Sequence, residues 1–426
     1  MGSFNELCDK PYMCACGKCH VCKIHKIWLG AGALRQIAEA TASYASILLV
    51  ADDNTYAVCG AKTEAILRSA GRQVKTLLFH GTGFLIPDNQ AVERLLKAAA
   101  PPVDLLVGVG SGVINDLCKH VSNCLHIPYI IVATAPSMDG YVSMGAALLL
   151  DGLKVTTDAK PPLAVVADTT ILKDAPMEMI RAGFGDIVGK YSALNDWKLS
   201  HLLLKEPFCR QVYDMVKGAV DRVVRLADGL MARREESVEA LMESLLLVGV
   251  AMSFVGNSHP ASGSEHHLSH FFELTGLERN RPYLLHGLDV GYATIITSRL
   301  RERVMAGRPL PEEKPPDRKA WEKEIRDVFG RGADNILRLQ ESGGTGQSLR
   351  PKITRRWEEI RAVLAEAPKA EQIQDILQSV DYDFDAFLRY YGSDWVNEAV
   401  RYARYTKTYY TLLCLNQDVD SEPVVF

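Results

Sequence analysis

A run of lysine and arginine interleaved with aromatic residues is missing from this 426-residue chain, whose formal charge is −4. That absence excludes the basic footprint of a nucleic-acid binder. No apolar run approaches the roughly 20 residues that a membrane span needs. The opening "MGSFNELCDKPYMCACGK" has none of the apolar stretch of a signal peptide. The expectation is a cytoplasmic protein with neither nucleic acid nor membrane as partner. Hydrophobic residues make up 47% and charged residues 23%, an ordinary globular balance. The length exceeds one simple core, so a two-domain enzyme is expected.

Cysteine is scarce except at one place. Five of the 10 fall at Cys8, Cys14, Cys16, Cys19 and Cys22. Cys16-Gly17-Lys18-Cys19-His20 matches the spacing of c-type haem attachment, but that chemistry requires export, which nothing here provides. The cluster also resembles half of a zinc knuckle, without a partner half downstream. A small lobe with an adventitious metal, or reduced cysteines in a short strand or loop, are the other readings. Cys59, Cys118, Cys124, Cys209 and Cys414 sit in apolar segments and read as small buried side chains.

Residues 26 to about 175 alternate. Short β-branched runs ("ASILLVAD", "VKTLLFH", "VDLLVGVG", "PYIIVAT", "LAVVAD") are separated by helical stretches such as "AKTEAILRSAG" and "DNQAVERLLKAAA". This predicts a parallel sheet covered on both faces. From 176 onward nearly everything has helical periodicity, as in "VEALMESLLLVGVAMSFVGN" and "WVNEAVRYARYTKTYYTLLCL", broken by the charged proline-rich loop at 306–319. The predicted architecture is an α/β domain over 1–175 with a variant Rossmann-like parallel sheet, then an all-α domain over 176–426. A cleft between two such domains is a usual place for a ligand.

"DLLVGVGSGVINDLCKHVS" is a strand, then Gly108, Gly110, Ser111 and Gly112, then an amphipathic helix. Glycines admit a pyrophosphate close to the backbone, and the helix N-terminus supplies N–H donors. No Gly-Lys-Ser/Thr follows, which excludes a phosphate-loop NTPase. An ordinary dinucleotide fingerprint has its ribose-binding acid after the glycines. Here Asp52 and Asp53 precede them, so the topology must be a variant. A carboxylate there would bind a ribose and disfavour a 2′-phosphate; a helix N-terminal cap is the other reading for Asp53. A second loop, "VATAPSMDGYVSMGAAL", offers Thr134, Ser137, Asp139 and Ser143 at the C-terminal end of a strand, where open α/β sheets meet ligands.

"SGSEHHLSHFFE" packs three histidines into five positions of a chain that has 11. His266 and His270, four apart, share a helix face, and His267 points away from it. Two histidines are half a metal site. Asp186 in "RAGFGDIVGKYSALNDWK" and His286 in "RPYLLHGLDVGYATI" are candidates to complete it. One carboxylate and two imidazoles suit Zn²⁺, Ni²⁺ or Fe²⁺ and leave positions open for a substrate.

The order and spelling of "GSGVIND", "TAPSMDGYVS", "GFGDIVGK", "PASGSEHHLSH" and "LLHGLDVGYAT" resemble the metal-dependent polyol dehydrogenases. That group holds glycerol dehydrogenase, iron-type alcohol dehydrogenases and 3-dehydroquinate synthase. Within it, the sn-glycerol-1-phosphate dehydrogenases are the most similar, and "CACGKCH" followed by "IHKIWLGAGAL" is similar to the start of their bacterial members. The resemblance covers about 12–415 and implies a dehydroquinate synthase-like fold. It implies Asp186, His266 and His286 as ligands of one divalent metal ion, with His270, one turn past His266, near the substrate rather than on the metal. It implies NAD(P)H held by Gly110, Ser111, Gly112, Val113, Ile114, Asn115 and Asp116 and by Thr134, Ala135, Pro136 and Ser137. Ser143 would lie nearby and Asp52 on the adenosine side.

Asp139, Asp186, His270 and Lys190 would face a phosphorylated triose, with Asp139, Asp186 and His270 catalytic. His267 would be left to packing or the surface. The implied reaction is reduction of dihydroxyacetone phosphate to sn-glycerol 1-phosphate by a homo-oligomer, a dimer or larger. One departure is His259 where the resemblance expects arginine before Pro260; a histidine there is a weaker, pH-dependent phosphate partner, with Lys190 to compensate. The alternatives are a glycerol dehydrogenase acting on an unphosphorylated substrate, a carbacycle synthase, and a dinucleotide-binding protein without activity.

Overall fold

Strands that are apolar on both faces belong in the middle of a covered parallel sheet, and four of them here are buried nearly end to end. These are β4 (Ser46–Asp52), β6 (Leu105–Gly110), β7 (Tyr129–Ala133) and β10 (Ala164–Asp168). With β3 (Lys26–Gly30) and β5 (Gln73–Phe79) they form a six-stranded, wholly parallel sheet in the order β3-β10-β7-β6-β4-β5. The structure is a computed structural model that describes residues 6–81, 85–151, 153–311, 317–343 and 348–421. Residues 312–316 of the proline-rich loop lie outside that set.

The predicted strands are the sheet strands, but two features were not foreseen. "KIWLG" becomes β3, an edge strand whose register runs from Lys26 opposite Ala164 to Gly30 opposite Asp168. The segment after the second loop forms an antiparallel hairpin of β8 (Gly145–Leu150) and β9 (Leu153–Asp158). Its turn takes Asp151 into the left-handed region. A two-residue pair, β1 (Tyr12–Met13) with β2 (Cys19–His20), precedes the sheet.

The helices that matter are α1 (Ala61–Ser69), α2 (Asn89–Ala98), α3 (Gly112–Leu125), α4 (Met177–Leu204), α5 (Arg210–Arg225), α6 (Glu235–Val255), α7 (Ser264–Glu278) and α8 (His286–Ala306). Further short helices fill residues 318–415. There "WVNEAVRYARYTKTYYTLLCL" departs from the single helix its periodicity predicts. The helix ends at Tyr402 and resumes only over Leu412–Leu415, because the threonine- and tyrosine-rich middle has poor helix propensity.

Two compact units result: residues 1–187 with 225–256, and residues 188–224 with 257–426. The first holds the sheet and α6; among the described residues the second is helical apart from one short strand pair, Arg308–Pro309 with Val419–Asp420. Helix α6 corrects the reading that no apolar run approaches a membrane span. Among the described residues it is the helix long and apolar enough, by length and composition, to cross a membrane. Its apolar stretch is 72% buried, as in the core helix of a folded unit.

Candidate active site

Strand order puts a divergence between β4 and β6. They pair directly, Val50 opposite Gly108, yet the chain leaves β4 for β5 and leaves β6 for β7 on the other side. Ligands of open α/β sheets bind at the strand ends beside such a point. Gly110 closes β6, and a Cβ there would come within 2.6 Å of Ile114 in α3. Only glycine lets the strand end sit this close to its own helix. Ser111 is the N-cap of α3 without a side-chain cap bond, and Ile114 is buried beneath the loop. The N–H groups of Gly112 and Val113 in the first turn therefore have no intrahelical acceptor. After β7, Thr134, Ala135 and Ser137 are buried, and the Thr134 amide donates to the Gly110 carbonyl at 3.1 Å. The two loops that the sequence assigned to the dinucleotide thus adjoin.

The acids at the end of β4 divide differently from the expectation. Asp52, not Asp53, is the helix cap: its Oδ1 accepts the Thr55 amide at 2.8 Å, and its own amide donates to the Thr55 hydroxyl at 3.1 Å. Asp53 is exposed and takes His80 Nδ1 at 2.7 Å and the Gly81 amide at 3.2 Å.

One residue that organises this region escaped the sequence reading. Lys119 is fully buried and donates to the carbonyls of Gly140 (2.8 Å) and Gly145 (2.9 Å) and to the Ser143 hydroxyl (3.0 Å). Asp116, one turn back, lies 3.6 Å from the ammonium and accepts the Ala147 amide. Burial pushes the Lys119 ammonium below its usual range and Asp116 above its own, with their mutual attraction opposing both. Asn115 bonds the Gly140 carbonyl and the Tyr129 hydroxyl. The side chains of Asn115, Asp116 and Ser143 therefore tie α3 to the second loop. The available signal was a lysine three residues after an aspartate in the first two turns of the helix that follows the glycine loop.

The second loop is pinned from the helical side as well. A Cβ on Gly183 of α4 would lie 1.8 Å from the Pro136 carbonyl oxygen. That contact brings the helix backbone onto the loop, and Asp186, one turn on, accepts the Asp139 amide at 2.9 Å. Asp139 is buried and Asp186 fully so. Helix α4 continues unbroken, and a Cβ on Gly189 would touch Val290 at 2.6 Å and Glu265 at 3.2 Å. Lys190, fully buried, follows Asp186 by four residues.

Histidines then gather around that carboxylate. Asp186, His266 and His286 each present one ligand atom, and these atoms lie within 4.8 Å of one another. His266 and His286 rings are 5.2 Å apart; His270 and His286 rings stack at 5.6 Å. The His266 Nδ1–H donates to Glu265 Oε1 at 2.7 Å, and His286 Nδ1 faces the Ser269 hydroxyl at 3.2 Å. A hydrogen bond at Nδ1 of this kind, with Nε2 as the donor atom to a metal, is the usual arrangement behind a metal-binding imidazole. Burial would raise Glu265, but hydrogen bonds from His266 and the Gly263 amide outweigh it and hold the carboxyl below its usual range. A carboxylate and two such imidazoles form a donor set that fits a divalent first-row metal. A second, more open set of His270, Glu273 and His286 shares His286.

Sequence reasoning missed Glu265 and Asp196. Asp196 accepts the Ser264 amide (2.7 Å) and hydroxyl (2.6 Å) at the start of α7, and the Leu412 amide (2.8 Å). Burial and the Glu265 charge push its carboxyl up to about 7. His259 pairs with Glu206 at 2.6 Å and stacks on Tyr409 at 4.1 Å, so its ring is committed to a carboxylate. His267 is fully buried, both ring nitrogens lacking a hydrogen-bond partner, and burial holds it neutral. It is a packing residue.

Comparison with known proteins finds relatives over most of the chain. The iron-containing alcohol dehydrogenase family matches over residues 29–176. A glycerol-1-phosphate dehydrogenase [NAD(P)+] of Halalkalibacterium halodurans is 33% identical over 410 residues, 95% of each chain. The protein of the same name from Bacillus subtilis is 34% identical, covering 76% of this chain and 82% of its own. Among solved structures, glycerol dehydrogenase from Schizosaccharomyces pombe is similar in fold (TM-score 0.57, 18% identity, 86% of this chain and 91% of that one). So is sulfoacetaldehyde reductase from Bifidobacterium kashiwanohense in complex with NAD+ (TM-score 0.60, 16% identity, 92% and 95%).

Proposed function

The chain belongs to the glycerol-1-phosphate dehydrogenase family, and from that premise we propose that it reduces dihydroxyacetone phosphate with NAD(P)H to sn-glycerol 1-phosphate, reversibly. The observation that carries the proposal is the convergence of Asp186, His266 and His286, backed by Glu265 and Ser269. We assign those three residues to one divalent ion, Zn²⁺, Ni²⁺ or Fe²⁺. When bound, the ion supplies Lewis acidity at the substrate oxygen, and NAD(P)H supplies the hydride.

The chain's own residues do the rest. Amides of Gly110, Ser111, Gly112 and Val113 meet the pyrophosphate; Thr134 to Ser137 hold the nicotinamide half; Asp52 stands at the adenosine end. Lys119 keeps the second loop in place through Gly140, Ser143 and Gly145. Asp139 orients Asp186 through its amide. His270, beside His286, holds the proton that the product oxygen takes up. Lys190 is assigned to the substrate, the more so because His259 is paired with Glu206.

A cytoplasmic homo-oligomer that engages neither nucleic acid nor membrane completes the proposal; the charge of −4 supports the exclusion of nucleic acid. The test is turnover of the metal-reconstituted chain with NADH, comparing dihydroxyacetone phosphate with dihydroxyacetone and determining the product's stereochemistry. The phosphorylated ketone is expected to be preferred and the product to be the sn-1 phosphate. Preference for the unphosphorylated ketone would replace this reading with a glycerol dehydrogenase.

A further inference from the structure

The N-terminal strand pair carries sulfur donors that the reaction does not use. Between β1 and β2 the chain reverses at Gly17, whose φ of +83° suits glycine alone. The turn is closed by Gly17 N–H to the Cys14 carbonyl and Cys14 N–H to the Lys18 carbonyl, both 3.0 Å. It directs the Cys16 amide at Cys14 Sγ at 3.5 Å, an N–H···S contact that favours a thiolate. Register across the pair sets Tyr12 opposite His20, which returns the imidazole to the turn.

His20 is 1% exposed, and its ring stacks on Phe254 with centroids 5.2 Å apart. Its Nδ1 lies 2.8 Å from the Phe254 carbonyl oxygen. A carbonyl only accepts, so Nδ1 carries the proton and Nε2 is left with a lone pair. That lone pair faces Cys16 Sγ at 3.5 Å. The ligand atoms of Cys14, Cys16 and His20 lie within 4.8 Å of one another. A tetrahedral zinc with Zn–S of about 2.3 Å and Zn–N of about 2.0 Å sets its S···N edge at about 3.5 Å. The pair of atoms already stands at that separation. A backbone carbonyl fixing the far nitrogen is also how metal-bound imidazoles are oriented.

We propose that Cys14, Cys16 and His20 bind a structural zinc ion, with the fourth position taken by a further thiolate or water. Two thiolates select a softer metal than the oxygen–nitrogen set at Asp186, so the two sites are chemically distinguishable. Bound here, zinc fastens the β1–β2 turn to the end of α6 through His20 and Phe254. Cys8 and Cys22, buried and hydrogen-bonded to each other, are a separate pair.

The test uses the full chain loaded with Co²⁺. Thiolate ligation gives a near-ultraviolet sulfur-to-cobalt charge-transfer band that Asp186, His266 and His286 cannot produce. The band is expected in the wild type, and Cys16→Ser and His20→Gln should each weaken or abolish it. Elemental analysis of the zinc-loaded variants should show a loss of about one metal ion per chain. Cys19→Ser, the exposed neighbour in β2, should keep both. A wild-type chain without the band, or Cys16→Ser retaining it in full, overturns the proposal. Because Cys16 is exposed, that variant stays informative even if His20→Gln fails to fold.

Discussion

Exchanging Glu265 for glutamine separates metal affinity from fold stability. The carboxylate takes the His266 Nδ1–H at 2.7 Å and the Gly263 amide at 2.8 Å, and it is completely buried. Glutamine keeps the shape and can still accept from the ring, but as a neutral group. A hydrogen bond to a charged partner contributes about 1.5–3 kcal/mol and a neutral one about 0.5–1.5 kcal/mol. The difference, about 1–1.5 kcal/mol, corresponds to roughly tenfold weaker metal binding. Ligand partners of this kind typically control roughly 10–100-fold. Stability of the metal-free chain should not fall in parallel, because the substitution also removes a buried charge whose desolvation opposes folding. The assay is metal competition against a chromophoric chelator, run beside thermal unfolding of the apo chain. Unchanged affinity with an unchanged fold would refute the role given to Glu265. So would a fall in stability as large as the loss of affinity.

Further outcomes follow from the other contacts. Gly183→Ala must push the Pro136 carbonyl off α4 from a 1.8 Å approach; overpacking of this kind costs about 1–3 kcal/mol, read as a lower Tm together with loss of turnover. Lys119→Met keeps the volume but leaves partly buried Asp116 without its cation, a loss of about 1–3 kcal/mol in urea unfolding, accompanied by weaker NADH fluorescence enhancement. Asp186→Ala or His266→Ala should lose bound metal and turnover together while circular dichroism is retained; full activity in either would end the ligand assignment. The Asp196 carboxyl is pushed up to about 7 in the fold against 3.8 as the ordinary value. The native state therefore binds more protons than the unfolded chain between those values. Its contribution is complete below pH about 4 and is lost as pH rises through about 7. Asp196→Asn should flatten stability across that window, and an unaltered pH profile would refute it.

What the sequence made legible depended on distance along the chain. Strands β4, β6, β7 and β10 announce themselves because burial on both faces demands continuous β-branched runs. Strand β3 does not, since an edge strand is half-covered and "KIWLG" mixes charge with apolar residues. His266 and His270 were visible as a pair because i and i+4 share a helix face, while the resemblance supplied Asp186, His266 and His286 as the proposed ligands. Convergence of Asp186 with His266 and His286 joins positions 80 and 100 apart in the chain, which periodicity cannot reveal.

The residues that were missed share a physical cause. Lys119, Asp196 and Glu265 are charged groups within helices, and each is fully or almost fully buried. An isolated buried charge is costly, so such a residue persists only where several partners converge on it. Lys119 finds three acceptors on the second loop, Asp196 three donors at the start of α7 and at Leu412, and Glu265 two around His266. Those partners are mostly backbone groups, which carry no sequence signature. A charged residue within a helix is thus the readable half of the signal. The other half is the neighbouring segment whose position it fixes, and here those segments bear Asp139, His266 and the second loop.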